Sequence, residues 1–138
     1  MVSDLVTAVF VDDLQASKHF YCELLGLQPI FESDWVVQLS SSANEAINLT
    51  LQPRDHDLVP QAFRARPQGV SVTFVVDSCD EVFKKAKDMQ LEIVQAPRDE
   101  VYGQRRFLTV DPDGLLVDVS SQCEPSAEFV AKYMSGAQ

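Results

Sequence analysis

Apolar and polar positions alternate in short runs broken by turn residues, and the same pattern occurs twice. Residues 6–13 read Val-Thr-Ala-Val-Phe-Val-Asp-Asp and residues 71–78 read Ser-Val-Thr-Phe-Val-Val-Asp-Ser. Each is a β-branched, strand-like run with acid at its end, followed by a segment with helical spacing. Further on, Ile47-Asn48-Leu49-Thr50 matches Val117-Asp118-Val119-Ser120 at an offset of 70. An internal repeat constrains architecture more than any single segment does. Here it predicts two copies of a βαβββ unit.

In the first copy a strand is predicted over 5–11. A helix capped by Asp12 or Asp13 follows, with Leu14, Phe20, Tyr21, Leu24 and Leu25 on its apolar stripe and Gly26 closing it. Strands are predicted near 28–32, 35–40 and 46–52. The second copy starts near Val70. Ser78-Cys79-Asp80-Glu81 fits a capping box, with Ser at the N-cap and Glu three residues on. Val82, Phe83, Ala86 and Met89 then line one helix face, and strands are predicted near 91–95, 105–110 and 115–121. Asp111-Pro112-Asp113-Gly114 marks the turn between the last two. The predicted organisation is one α+β domain over 1–138, with modules 4–52 and 69–121, a connecting loop 53–68 and a C-terminal helix about 126–135. The Pro-punctuated loop reads equally well as a linker or as a binding loop.

Composition narrows the function classes. A formal net charge of -10 disfavours nucleic acid, whose phosphates need a Lys/Arg footprint. It serves solubility and would also attract a cationic ligand. No apolar run nears the roughly 20 residues that span a bilayer, and the first residues do not read as a signal peptide. Three unpaired-looking cysteines argue for a reducing, cytoplasmic setting.

Strand parity then sorts candidate residues. Asn48, Thr50, Ser71, Thr73, Asp118 and Ser120 fall on one set of faces, opposite the apolar Ile47, Leu49, Val117 and Val119. Pairing Val110 with Leu115 across the turn puts Arg105, Phe107 and Thr109 on the polar face. The offset of 70 would add Trp35, Val37 and Leu39. That mixture suits a small-molecule cavity with Trp35 and Phe107 for stacking. The expected ligand contacts are Trp35, Asn48, Ser71, Thr73, Arg105, Phe107 and Asp118. Asp118 is the single candidate general base, and Arg105 either assists it or neutralises it.

The chain resembles the vicinal oxygen chelate superfamily of glyoxalases, extradiol dioxygenases and bleomycin resistance proteins. The resemblance rests on Val11-Asp12-Asp13-Leu14, Phe20-Tyr21-Cys22-Glu23-Leu24-Leu25-Gly26-Leu27, Tyr102-Gly103-Gln104-Arg105-Arg106-Phe107 and Asp111-Pro112-Asp113-Gly114. It covers about residues 4–121. It implies two βαβββ modules in a half-open curved sheet, a homodimer, and metal ligands on the first and last strand of each module. Those positions hold Val6, Asn48, Ser71 and Asp118. Val6 has no donor atom and Asn48 and Ser71 are weak neutral ones, so the expectation is no metal and no cofactor. His19 and His56 read as surface and turn residues. The implied function is that of the drug-binding branch: sequestration of a cationic or planar aromatic molecule. The alternatives are a superfamily enzyme (lyase, isomerase or dioxygenase) with an atypical or displaced site, or a module that binds a protein partner through loop 53–68 and the last helix.

Overall fold

A computed structural model describes residues 1–134, and the end of the expected last helix, Ser135, lies outside them. The chain divides into two compact units. One is Met1–Val70 with Asp111–Leu115; the other is Ser71–Val110 with Leu116–Gln138.

In the first unit, β1 (Thr7–Val11) leads into α1 (Leu14–Leu25), and β2 (Gln28–Glu32), β3 (Val37–Ser41) and β4 (Asn44–Pro53) follow. The sheet order is β1-β4-β3-β2, with β1 parallel to β4 and the other pairs antiparallel. Asp13 caps α1 by accepting the N–H groups of Gln15 and Ala16, and Gly26 closes it at φ 68°. Side-chain alternation buries Val9, Val11, Val37, Leu39, Leu49 and Leu51 beside Phe20, Tyr21 and Leu24 of the helix.

The Asp111–Leu115 turn is part of this unit and is held by charge. Tyr21 Oη donates to Asp111 Oδ2 at 2.7 Å, and the Asp12 N–H donates to Asp113 Oδ1 at 2.9 Å. Arg54 bridges Asp113, which is buried, to Asp12. Burial pushes the Tyr21 phenol well above its ordinary value, and the neighbouring Asp111 carboxylate adds to the shift.

The connection after β4 is folded rather than slack. Val59 is buried, and a short 3-10 turn spans Gln61–Phe63. Arg64 donates from Nε to the Val59 carbonyl at 2.9 Å and from Nη2 to the His56 carbonyl at 3.2 Å.

The second unit repeats the plan. It contains β5 (Ser71–Val75), α2 (Cys79–Asp88), β6 (Ile93–Glu100), β7 (Gln104–Val110) and β8 (Leu116–Gln122), in sheet order β5-β8-β7-β6. β5 is parallel to β8. Ser78 caps α2 through the Glu81 N–H at 3.3 Å. Its core holds Cys79, Ala86, Phe107, Val117 and Val119. β6 runs longer than its apolar pattern suggested, through Pro97 to Glu100. Pro97 is tolerated because β6 is an edge strand. A helical segment follows, α3 (Ala127–Phe129) continuing as one wide turn through Val130–Met134, capped by Ser126 at the Phe129 N–H. The fold class is thus α+β: two βαβββ modules and a C-terminal helical segment.

Candidate functional site

β8 puts Asp118 and Ser120 on one face of the second unit's sheet, and the neighbouring strands decide what meets them. Thr73 of β5 lies in register with Asp118, and Arg106 of β7 lies opposite Ser120. Asp118 is 7% exposed. Its Oδ2 accepts from Arg106 Nη1 at 3.1 Å and from Thr73 Oγ1 at 3.3 Å, and its Oδ1 accepts from Ser120 Oγ at 2.9 Å. Arg106 also meets Glu100 Oε2, from Nε at 3.2 Å and from Nη2 at 3.1 Å. Glu100 Oε1 in turn accepts from Arg98 Nε at 2.6 Å. Burial works to lower the Arg106 pKa, but the hydrogen bond to Asp118 and the surrounding negative charge outweigh it and raise the pKa. Arg98 and Arg106 hold the Glu100 carboxyl below its ordinary range. The result is a charge-balanced strip: two carboxylates, two guanidinium groups and two hydroxyls.

This arrangement corrects the expected register. Val110 pairs with Leu116, not Leu115. The hairpin loop is one residue longer than assumed, with Gly114 at φ 86° in it and the Asp111 N–H bonded to the Leu115 carbonyl across it at 3.0 Å. A slip of one residue exchanges the faces of a strand. Phe107 therefore lies opposite Val119, fully buried, with its ring 5.3 Å from that of Phe83 in α2. Arg105 points away from Asp118 and pairs with Asp80 at 3.0 Å and Asp99 at 3.2 Å. By the same repeat, Val37 and Leu39 are core residues facing Leu51 and Leu49. Arg106, Glu100 and Arg98 are the residues sequence reasoning missed, and the Arg105-Arg106 doublet was the available signal.

The other expected contacts fall as follows. Ser71 is exposed on β5, two residues before Thr73. In the first unit, Asn48 Oδ1 accepts from Thr50 Oγ1 at 2.9 Å. Val6 precedes β1 and is 48% exposed. Trp35 is 38% exposed, and one of its ring faces is stacked on His56 at 4.7 Å with 17° between planes. His56 Nδ1 accepts the Leu58 N–H at 3.1 Å.

These residues do not fit the divalent metal that the fold implies. Val6 offers no donor, and Asn48 and Ser71 offer weak neutral ones. Asp118 already receives three hydrogen bonds, one of them from a fixed cation. Among the described residues no group of three or more His, Cys, Asp or Glu is placed to hold a metal ion.

Comparison with known proteins agrees with this fold. The family model "Glyoxalase/Bleomycin resistance protein/Dioxygenase superfamily" matches residues 5–119, and the chain belongs to that superfamily. Solved structures share the fold at low identity. A family enzyme from Burkholderia phytofirmans PsJN is 19% identical, with 87% of this chain and 99% of that one covered and a TM-score of 0.74. A lactoylglutathione lyase from Agrobacterium tumefaciens is 22% identical, with 88% and 95% covered and a TM-score of 0.68. An integron cassette protein from the mobile metagenome of V. cholerae is 23% identical, with 88% and 96% covered and a TM-score of 0.68. No curated protein matches the chain. No helix among the described residues is long and apolar enough to cross a membrane.

Proposed function

We propose that the protein binds a small organic molecule on the Asp118 face of its second unit without a divalent metal, and that it acts by sequestration rather than by chemistry. The observation that carries this reading is the state of Asp118. A carboxylate that is buried, bonded to two hydroxyls and paired with Arg106 is a poor metal ligand, and both of its oxygens are already engaged. Removing a proton from substrate through Oδ2 would require displacing Arg106, and through Oδ1 it would have to share that oxygen with the Ser120 hydroxyl. Such a preset polar strip orients a ligand instead. A planar aromatic antibiotic is the ligand type that this reading favours. Homodimerisation belongs to the same reading and is measured by sedimentation.

The test is a thermal-shift screen of planar aromatic and cationic antibiotics, followed by product analysis of any ligand found. A ligand that raises the melting temperature and is recovered unchanged supports sequestration. Recovery of a converted product would establish the enzyme reading in its place.

A further inference from the structure

Both carboxylates on the Asp118 face have both oxygens engaged by the protein itself. Asp118 accepts from Arg106, Thr73 and Ser120. Glu100 accepts from Arg98 on one oxygen and from Arg106 on the other. A guanidinium carries five N–H donors. The contacts to Asp118 and Glu100 engage three of those of Arg106 and leave two. Its side chain is 23% exposed, so solvent or a ligand reaches it. Ser71, exposed on the same face of β5, adds a hydroxyl. Each carboxylate keeps about one of its four acceptor sites, whereas Arg98, exposed and engaged here through Nε, keeps about four further donors, so the unfilled capacity of this face is mainly donor capacity. A cationic ligand finds no unpaired carboxylate here, despite the net charge of -10 of the whole chain. It would have to share each acid with a guanidinium that is already paired to it.

We infer that the Asp118 face takes ligands through acceptor oxygens, of the carboxylate or conjugated carbonyl class, with Arg106 as the fixed cation that receives them. This rests on the small-molecule reading above and supplies its ligand class. Arg106 then supplies the positive charge for those oxygens, and Asp118 and Glu100 set its orientation. Binding should accordingly be indifferent to chelators.

The experiment uses the full chain, isotopically labelled and followed by backbone amide NMR. It is titrated with three probes sharing one ring: benzoate, benzamide and benzylammonium. Benzoate should shift the amides of Thr73, Arg106 and Asp118, benzamide should do so more weakly, and benzylammonium should bind that face about tenfold less tightly or not at all. Arg106→Gln alone strands a buried carboxylate and can unfold the unit. The double variant Arg106→Gln with Asp118→Asn removes both charges together. It should keep a dispersed spectrum and lose the benzoate shifts. Tighter binding of benzylammonium at this face would overturn the ligand class and leave small-molecule binding standing. Undiminished benzoate shifts in the double variant would overturn the role of Arg106. No shift at this face with any probe would overturn both the inference and the reading beneath it.

Discussion

Arg106 Nη1 lies 3.1 Å from Asp118 Oδ2, so the buried carboxylate of β8 has its counter-ion on the adjacent strand. The pair is asymmetric. Arg106 keeps Glu100 when Asp118 is removed, whereas Asp118 keeps only hydroxyls when Arg106 is removed.

That asymmetry sets the order of mutational costs. Arg106→Leu should destabilise by about 3 kcal/mol, because an uncompensated charge stays buried. Asp118→Asn should cost about 1–2 kcal/mol, the worth of weakened hydrogen bonds to a charged group. The double variant should recover part of the Arg106→Leu loss. Denaturant titration of the four proteins reads the cycle, and additive losses would show that the pair is not coupled.

A second prediction concerns alkaline pH. Tyr21 donates to the Asp111 carboxylate from a buried position, and its folded pKa is raised above the ordinary phenol value of 10.0. The unfolded phenol ionises first as pH rises, so this contribution is fully present below that value and is lost above it. In that window Tyr21 should add a slope of about 1.4 kcal/mol per pH unit. Tyr21→Phe should cost about 1.5–3 kcal/mol at neutral pH and should flatten the alkaline limb by that one-proton slope. Equal slopes in both proteins would refute the assignment.

The end of α2 offers a stabilising change. The Leu91 N–H donates to the Ala86 carbonyl at 3.0 Å and the Gln90 N–H to that of Lys87 at 2.9 Å. This six-residue closure demands a left-handed residue at position 90, and Gln90 supplies it at φ 59°. The first unit puts Gly26 in the equivalent place. Gln90→Gly should therefore raise stability by about 0.5–1 kcal/mol, net of the greater freedom of glycine in the unfolded chain. Thermal unfolding checks the direction, and a lower melting temperature would count against strain at this position.

Much of the fold was legible because local signals agreed with each other. Asp13, Ser78 and Gly26 cap their helices as their spacing predicts, and the repeat identified equivalent strands. The offset of 70 was even right in pairing Val37 with Phe107, since both are core residues. What failed was the face assignment. It hung on the hairpin loop, where a left-handed Gly114 changes the loop count by one and so inverts β7. Asp118 and Thr73 kept their places because β5 and β8 pair independently of that turn. The Arg54–Asp113 bridge was not legible, because its partners lie 59 residues apart and no local pattern joins them.

The most direct test of the central claim is metal content, measured on protein purified without tag or chelator and again after incubation with nickel, zinc, manganese and ferrous iron. Less than about 0.1 metal per chain is expected throughout, because Val6 offers no donor, Asn48 and Ser71 offer weak neutral ones and Asp118 is already paired. About one metal per chain, with the Arg106–Asp118 pair broken in the loaded protein, would contradict it.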